Sequence, residues 1–359
     1  MHTVTLIPGD GIGPEITAAM RRVVTSTGVD IDWEIQEAGE AVMESEGTPL
    51  PDRVIESIKK NKVAIKGPIT TPVGTGFRSI NVAMRKALDL YINLRPAKSY
   101  GCDRYKDAPG AKPIDIVIFR ENTEDLYAGI EFEMGSDEAN ELRACIEELE
   151  GTAIRADAGI SIKPISEFGT RRIVKAAFDY ALANDRKKVT CVHKANIMKH
   201  TDGLFLRVAR EVAEEYADTG IEFEDWIIDA ACMRLVVDPS QFDVMVMPNL
   251  AGDILSDLCA GLVGGLGIAP GANIGDNEAL FEPVHGSAPR RAGQGIANPT
   301  ALILTSAMML RHLGEGEAAA KIENAVNTVL TERKTVTYDL GGEASTEEYA
   351  DALIAEITR

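Results

Sequence analysis

Long apolar runs and a disulfide framework are both missing from this sequence of 359 residues. No apolar segment approaches the roughly 18 residues that a membrane-spanning helix needs, so we expect no membrane association. The N-terminal stretch has neither a basic region nor a long apolar region, so we expect no signal peptide. The five cysteines are scattered without any CxxC spacing, which argues against disulfides or a zinc site. These absences make the cytoplasm the expected location.

Positive charge is also scarce. The chain has 37 Lys and Arg residues against 56 Asp and Glu residues, a formal net charge of −19. Nucleic-acid binding depends on basic residues that contact phosphates, so this balance argues against a nucleic-acid partner. An anionic substrate could be held only by a local cluster of cations, and such a cluster would therefore be informative.

Strand-like and helix-like apolar patterns alternate along most of the chain. This alternation predicts an α/β fold with a largely parallel sheet and helices on both faces. The predicted strands are 3–7, 31–36, 63–65, 114–119, 189–192, 221–228 and 242–247. The predicted helices are 14–27, 51–60, 79–90, 170–183, 202–216, 298–313, 317–330 and 346–357. The acidic segment 131–150 is either a solvated loop with a short helix or an arm that contacts a second subunit.

The glycine-rich loop 8–15, PGDGIGPE, follows the first predicted strand. It lacks the last glycine of the GxGxxG dinucleotide-binding motif, and Pro14 crowds the backbone donors that a pyrophosphate would need. We therefore predict a structural turn beside a cleft and assign no phosphate binding to this loop.

Asp253 and Asp257 lie four residues apart in a helix-like segment that follows the apolar run Val244–Met247. Residues at this spacing share a helix face, and two like charges there would cost about 0.2–0.5 kcal/mol. Mg²⁺ prefers oxygen ligands such as carboxylates. The pair is either a metal site or a solvated acidic face. Asp229, at the end of another predicted strand, could add a third carboxylate.

A cluster of candidate anion-binding residues follows the strand that ends at Lys66. Ser79 is placed to cap a helix, where free N–H groups attract anions. Asn81 and Arg85 share a helix face, and Arg95 ends the next strand-like segment. Two guanidinium groups could bind carboxylates in a bidentate manner. Surface ion pairs and a plain N-cap are the alternative.

Other predicted strands also end in polar residues. Arg120 and Tyr127 follow the strand 114–119, and Lys194 follows the strand 189–192. Ligands bind outside the carboxyl ends of parallel strands, and a lysine with a lowered pKa can act as a base. An acidic turn and solvated side chains are the alternative. The loop 282–293, EPVHGSAPRRAG, suits the close approach of a nucleotide, or it is an ordinary Gly/Pro loop.

Together these motifs resemble those of the decarboxylating β-hydroxyacid dehydrogenases, which comprise the isocitrate, 3-isopropylmalate and homoisocitrate dehydrogenases. The motifs stand in family order along almost the whole chain: IPGDGIGPE, KGPITTPVGTGFRSIN, NLRP, FRENTEDLYAG, VHKANIMK, NLAGDILSD, GGLGIAPGANIG and HGSAP. Within the family the chain looks most like the isocitrate dehydrogenases. The resemblance implies a two-domain α/β/α sandwich with a large mixed, mostly parallel, non-Rossmann sheet and a dimer clasp.

The same resemblance implies a domain organisation and a homodimer with shared active sites. Residues 1–90 and 264–359 would form a large cofactor-binding domain. Residues 91–124 and 167–263 would form a small domain with the dimer interface and the metal and catalytic residues. Residues 125–166 would form a clasp-like arm.

Residue roles also follow from the resemblance. Tyr127 would be the proton donor, and Lys194 would assist deprotonation of the substrate hydroxyl, reaching across the dimer interface. The substrate carboxylates would be bound by Ser79, Asn81, Arg85, Arg95 and Arg120. Mg²⁺ or Mn²⁺ would be bound by Asp253 and Asp257, with Asp229 from the second subunit. The cofactor would be bound by Thr70, Thr71, Asn196, Glu282, His285, Gly286, Ser287, Ala288, Pro289, Arg290, Arg291, Asn298 and Tyr338.

The implied reaction is the metal-dependent oxidative decarboxylation of isocitrate to 2-oxoglutarate and CO₂. Isopropylmalate enzymes carry apolar residues at the positions of Ser79 and Asn81, because a polar pair facing an isopropyl group would stay unpaired. Homoisocitrate, which also has a third carboxylate, remains an alternative substrate. A non-catalytic regulatory subunit is the alternative class, although such subunits typically lose site residues that this chain retains.

The cofactor preference expected from the sequence is NADP, with NAD possible. Arg290 and Arg291 stand where NAD-specific members usually have an acidic residue, and two guanidinium groups suit a 2′-phosphate. Tyr338 also matches the NADP pattern. Against this, Gly342 stands where an arginine is usual, and residues 339–342 resemble the NAD-specific members.

Overall fold

The structure is a computed structural model that describes residues 1–70, 79–101 and 112–359. Its strands are β1 (His2–Ile7), β2 (Ile31–Ile35), β3 (Val63–Lys66), β4 (Ile92–Lys98), β5 (Asp115–Glu121), β6 (Glu131–Phe132), β7 (Ile160–Ser161), β8 (Lys188–His193), β9 (Glu222–Ile227), β10 (Val244–Met247), β11 (Ala272–Ile274) and β12 (Ala279–Phe281). Its helices are α1 (Gly13–Ser26), α2 (Glu40–Glu46), α3 (Asp52–Asn61), α4 (Ile80–Ala87), α5 (Asp137–Glu150), α6 (Glu167–Ala183), α7 (Asp202–Glu215), α8 (Ile228–Val237), α9 (Asn249–Val263), α10 (Thr300–His312), α11 (Gly316–Glu332) and α12 (Thr346–Ile357).

One sheet of ten strands organises the described residues, in the order β2-β1-β3-β12-β11-β4-β5-β10-β8-β9. The strands β2, β1, β3 and β12 are parallel to one another, and so are β5, β10, β8 and β9. The antiparallel pairs β12–β11, β11–β4 and β4–β5 join the two blocks, which therefore run in opposite directions. The mixed, mostly parallel α/β sheet expected from the sequence is confirmed. The division into two domains stays a prediction.

Two clusters of buried apolar side chains pack against this sheet. Helices α1, α10, α11 and α12 pack together beside the first block, and α6 and α7 pack against the second. Helix α1 shows why the pattern was readable: Ile16, Met20 and Val23 recur at helical spacing and are fully buried. The N-terminus of α12 is fixed by a capping box between Ser345 and Glu348.

The sequence predicted that Arg95 ends its strand. In the structure Arg95 lies in the middle of β4. Strand β4 continues through Pro96 to Lys98. At Pro96 the strand pairs with β5 on one side, whereas β11 pairs only with residues 92–94. A proline is tolerated where a strand has a neighbour on one side only. Arg95 is consequently held in the centre of the sheet.

Asp229 is also placed differently from the prediction. Strand β9 ends at Ile227, and Asp229 lies in the first turn of helix α8, which the sequence analysis did not predict. Residues 228–237 are almost all apolar, so their pattern resembled a buried strand more than an amphipathic helix.

The segment 131–150 is neither a loop nor a short helix. It contains β6 and the fourteen-residue helix α5, whose N-terminus is capped by the Ser136 side chain. Strand β6 pairs with β7 as a two-stranded ribbon outside the main sheet. Its role as a dimer clasp stays a prediction.

The glycine-rich loop 8–15 is the structural turn that the sequence predicted. The Asp10 amide donates to the Pro68 carbonyl at 2.8 Å, and the Ile12 amide donates to the Ser287 carbonyl at 2.9 Å. Gly11 has a φ of 60°, and a Cβ there would collide with Ser287. These contacts hold the loop against the segments that contain Pro68 and Ser287, beside a cleft.

Two of the expected absences can be compared with the described residues. No helix among them is long and apolar enough to cross a membrane. The four cysteines in this part of the chain, Cys145, Cys191, Cys232 and Cys259, are all free thiols.

Candidate active site

A polar cavity of about 240 Å³ lies where the two blocks of the sheet meet. Its lining comes from β3, β4, β5 and β11, from helices α4 and α9, and from the residues that follow β12. Residues that the sequence analysis selected from distant segments meet here: Ser79, Asn81, Arg85, Arg95, Arg120, Tyr127, Asp253, Glu282, His285 and Gly286. We call this the front cavity.

Four cationic side chains line the front cavity: Lys66, Arg85, Arg95 and Arg120. Burial, followed by the charges of Arg95 and Arg85, lowers the pKa of Arg120 to about 10. Burial and the Arg85 charge also lower the pKa of Arg95. These cations therefore oppose one another in a poorly solvated space. An anion with several carboxylates would relieve that repulsion and could be bound in a bidentate manner.

Asp253 connects the cations to Tyr127. One carboxylate oxygen accepts hydrogen bonds from Arg120 and, at 3.4 Å, from Arg95. The other accepts the Tyr127 hydroxyl proton at 2.6 Å. Burial opposes ionisation of Asp253, but the Arg120 charge and the Tyr127 hydrogen bond outweigh it, and the pKa of Asp253 is lowered. Burial and the bond to Asp253 raise the pKa of Tyr127, which keeps its proton available for donation.

Asp257 lies one helical turn beyond Asp253, and its carboxylate oxygens are more accessible to a ligand. Its side chain is 54% exposed, and its ion-pair contact is with Arg95 at 3.7 Å. Partial burial raises the pKa of Asp257, the Arg95 charge opposes that shift, and the Asp253 charge adds to it. The two carboxylates share one face of α9, as their spacing predicted, and suit a hard divalent cation.

The third predicted carboxylate does not join this pair within one chain. The Asp229 carboxylate is bound by the Lys194 ammonium group instead. The strands that precede these residues, β9 and β8, lie beyond β10 in the sheet, and neighbouring strands are about 4.8 Å apart. The described residues contain no group of three His, Cys, Asp or Glu side chains that could hold a metal. A cation at Asp253 and Asp257 would need its further ligands from elsewhere.

Several buried polar atoms around the front cavity have no hydrogen-bond partner among the described residues. They include Asn81 Oδ1, Arg85 Nε, Asn93 Oδ1 and His285 Nε2. Buried polar groups are normally paired, so unpartnered groups around one cavity indicate a polar ligand. Ser79 occupies the N-cap position of α4 as predicted, but its side chain makes no capping hydrogen bond there.

Glu282 lies in a buried network that the sequence analysis did not foresee. Its carboxylate contacts Lys66 Nζ at 2.7 Å and accepts hydrogen bonds from Arg85 and Asn273, both at 2.7 Å. Burial opposes its ionisation, but the Lys66 and Arg85 charges prevail and lower its pKa. Glu282 therefore fixes two of the four cations of the front cavity.

Lys66, Asn93 and Asn273 were missed as site residues. For Asn93 a signal existed, because it lies two residues before Arg95 and alternate residues of a strand share a face. Asn273 lies in the three-residue strand β11 within a glycine-rich stretch, where no periodicity could be read.

A second cavity of about 260 Å³ adjoins the front cavity, and His285 and Gly286 line both. Its lining includes further predicted cofactor residues: Ala288, Arg291, Asn298 and Tyr338. Ser287 and Thr70 lie beside it and share a hydrogen bond of 2.7 Å between their hydroxyl groups. Pro289 and Arg290 form the exposed turn that precedes Arg291. Asn196 lines neither cavity, and Thr71 lies outside the described residues.

Two contacts in this second cavity bear on the cofactor. The Arg291 guanidinium lies over the Tyr338 ring, 4.2 Å from its centroid. Asp339 also lines the cavity, where its carboxylate accepts a hydrogen bond of 2.9 Å from Asn298. A carboxylate opposes a phosphate group and can accept hydrogen bonds from hydroxyl groups.

The fold and the two cavities define an α/β protein that can bind a small polyanion beside a second ligand. The sequence model of the isocitrate/isopropylmalate dehydrogenase family matches residues 3–353. The chain belongs to this family.

Individual relatives agree with that assignment. A protein from Dictyostelium discoideum, named as a regulatory subunit of mitochondrial NAD isocitrate dehydrogenase, is 50% identical over 100% of this chain and 92% of its own length. A mitochondrial NAD isocitrate dehydrogenase catalytic subunit 5 from Arabidopsis thaliana is 46% identical over 98% and 87%. The crystal structure of isocitrate dehydrogenase from Methylococcus capsulatus superposes with a TM-score of 0.90, at 50% identity, over all of both chains.

These relatives correct two expectations from the sequence. The NADP preference is contradicted, because the curated relatives are named as NAD enzymes. The structure supplies a physical reason, since Arg291 is stacked on Tyr338 and the Asp339 carboxylate lies in the same cavity. The cytoplasmic location is also contradicted, because those relatives are mitochondrial proteins. The expected homodimer is not supported, because these relatives are named as subunits of an enzyme.

Gly252 provides a test of how Arg120 is positioned. A Cβ at Gly252 would lie 2.5 Å from the Arg120 Cβ and Cγ atoms. We expect Gly252→Ala to displace Arg120 and to lower the free energy of unfolding by about 1–3 kcal/mol through overpacking. Urea unfolding and the affinity of the front cavity for tricarboxylates measure both effects.

Gly261→Ala is the matched control on the same helix. A Cβ there meets nothing within 4 Å, and alanine is favoured over glycine in a helix by up to about 1 kcal/mol. We expect this variant to be unchanged or more stable. Equal behaviour of the two variants would contradict the close-approach role of Gly252.

Glu282→Gln tests the buried network. We expect it to lower the free energy of unfolding at pH 7 by about 3–5 kcal/mol, because Lys66 and Arg85 lose their charged partner. The pKa of Glu282 is lowered in the folded protein. Its charge therefore stabilises the fold above its ordinary pKa of about 4.3, and this contribution is lost as the pH falls below that value. Unfolding measured from pH 7 to pH 4 should show the difference from wild type narrowing at the acid end. A difference independent of pH would contradict this assignment.

Proposed function

We propose that this chain is a catalytic NAD-dependent isocitrate dehydrogenase that converts isocitrate to 2-oxoglutarate and CO₂. The observation that carries the proposal is the front cavity, where Arg85, Arg95 and Arg120 converge beside Tyr127. Isocitrate is a trianion, and in a protein of net charge −19 only such a local cluster could hold it.

The wall of the front cavity favours a third carboxylate over an apolar substituent. Ser79 and Asn81 both line it, and Asn81 Oδ1 is buried without a partner among the described residues. An isopropyl group in that position would leave these polar atoms unpaired, at a cost of about 1–3 kcal/mol. Homoisocitrate would satisfy the same groups, and so remains the alternative substrate.

The residues of the chain suit the successive steps of this reaction. The arginines orient the substrate carboxylates. Lys194 assists removal of the proton from the substrate hydroxyl group, while the carbon that bears this hydroxyl gives hydride to NAD⁺. Tyr127, whose pKa is raised, retains a proton to give to the carbon that has lost CO₂. Asp253 and Asp257 would hold Mg²⁺ or Mn²⁺, which would act as a Lewis acid toward a substrate oxygen.

The site requires a neighbouring subunit for its completion. Lys194 and Asp229 pair with each other away from the front cavity. Beside them, Met233, Val236 and Val237 on α8 and Ile254 on α9 expose more than half of their surfaces. Large apolar side chains exposed on two helices that pack together favour a protein interface there. We infer that α8 and α9 of two subunits pack together, so that Lys194 and Asp229 of one chain reach the front cavity of the other.

A regulatory subunit is the second candidate, because the Dictyostelium relative carries that name. The side chains argue for catalysis instead. Tyr127, Lys194, Asp229, Asp253 and Asp257 are all present, and the three arginines are positioned in one cavity.

The activity and its cofactor can be tested together. We expect NADH formation from isocitrate in the presence of Mg²⁺, a lower KM for NAD⁺ than for NADP⁺, and no turnover with EDTA. Homoisocitrate and isopropylmalate should be poorer substrates under the same conditions. Absence of turnover with every combination of substrate, cofactor and metal would overturn the enzymatic proposal and favour the regulatory one.

Asp257→Asn tests the metal pair. We expect at least a hundredfold loss of metal-dependent turnover, because even contacts outside the ligand shell are worth about 10–100-fold. The circular dichroism spectrum and the assembly state should stay unchanged, since the Asp257 side chain is 54% exposed. Retained activity at ordinary metal concentrations would contradict the assignment.

Mixed subunits test whether the active site is shared. Tyr127→Phe and Lys194→Ala should each be inactive alone. Refolded together, they should recover about a quarter of wild-type activity, because one of the two sites in each mixed dimer regains both side chains. Tyr127→Phe mixed with Arg120→Ala is the control, because both residues line the same chain's cavity and no intact site can form. Recovery in both mixtures, or in neither, would contradict the shared site.

A further inference from the structure

A third cavity lies on the opposite face of the central sheet from the active site. Strand β4 shows this directly, because Asn93 and Arg95 line the front cavity whereas Leu94, Pro96 and Lys98 line this one. Alternate residues of a strand point to opposite faces. Its volume is about 510 Å³, roughly twice that of the front cavity. We call it the back cavity.

The floor of the back cavity is apolar and rigidly placed. It is formed mainly by Leu94, Val117, Ile268, Phe281 and Leu304, all of them buried, with Met308 beside them. The ring of Tyr180 adds an aromatic surface at one wall. An apolar floor with polar groups around it suits a small organic molecule that has both an apolar body and a polar group.

The rim of the back cavity carries three cations, two of which form ion pairs. Arg186 pairs with Asp115 at 2.6 Å and with Asp243 at 2.9 Å, and Arg311 pairs with Glu323 at 2.6 Å. Lys98 also lines the rim, contacts the Tyr100 ring at 5.9 Å and forms no ion pair with any described residue. Lys98 is therefore the rim cation that is available to pair with a ligand, in a chain whose net charge is −19.

We propose that the back cavity is a binding site for a small organic anion with a flat apolar body, such as an aromatic carboxylate or sulfonate. The apolar floor would bury the ring system, and Lys98 would pair with the anionic group at the rim. A free metal ion or a small polyanion does not fit, because the floor offers neither carboxylates nor several cations. The central sheet separates this ligand from the front cavity, so both cavities can be occupied at once.

The test uses the full-length assembled protein and the fluorescent probe 1-anilinonaphthalene-8-sulfonate. We expect saturable binding of one probe per chain that persists in saturating isocitrate and NAD⁺. Lys98→Glu should weaken binding about tenfold, since exposed charge pairs are each worth up to about 1 kcal/mol. Lys321→Glu is the matched control, because Lys321 is exposed on α11, does not line the cavity, and changes the net charge equally.

A second variant fills the cavity. Met308→Trp should abolish probe binding while the circular dichroism spectrum stays that of wild type. If Met308→Trp does not fold, Lys98→Glu decides the outcome, because Lys98 is exposed and its replacement leaves the core intact. Equal weakening by Lys98→Glu and Lys321→Glu, or displacement of the probe by isocitrate and NAD⁺, would overturn the proposal.

Discussion

The concentration of positive charge inside an acidic protein is the constraint on which the site depends. Lys66, Arg85, Arg95 and Arg120 would repel one another in a poorly solvated cavity. Burial, followed by this repulsion, lowers the pKa values of Arg95 and Arg120. Three carboxylates among the described residues offset part of it. Glu282 contacts Lys66 and Arg85, and Asp253 contacts Arg120 and Arg95. The more exposed Asp257 lies 3.7 Å from Arg95. A substrate with several carboxylates would neutralise the positive charge that remains in the cavity.

The sheet topology makes this concentration possible. A parallel block delivers polar residues at the carboxyl ends of its strands, and here two such blocks run in opposite directions on either side of β11 and β4. Lys66 and Glu282 come from the ends of β3 and β12, whereas Arg120 comes from the end of β5. Neither block alone supplies enough cations to hold a trianion. The short antiparallel strands between them are therefore as necessary to the site as the longer ones.

Sequence patterns predicted much of this arrangement, but only where an element was long enough to show a regular spacing of apolar or acidic residues. Helix α9 with its aligned Asp253 and Asp257, and helix α12 to its terminal residues, were predicted correctly. The buried partners Asn273 and Glu282 lie in or after strands of three residues, which are too short to show a period. The cofactor expectation failed for a different reason. Adjacent arginines suggest phosphate binding, but the sequence does not reveal that Arg291 stacks on Tyr338 beside Asp339.

The separation of Lys194 and Asp229 from the front cavity has a physical explanation in the same topology. Lys194 follows β8 and Asp229 follows the edge strand β9, and both strands lie on the far side of β10 from β5, which carries Arg120. A lysine and an aspartate paired on the surface contribute little to stability, and the pair lies next to an exposed apolar helix face that would be costly to leave in water. Burial of that face against another subunit would place the pair in a less polar environment. The proposed site shared between two chains would account for both the separated Lys194–Asp229 pair and the exposed apolar helix face.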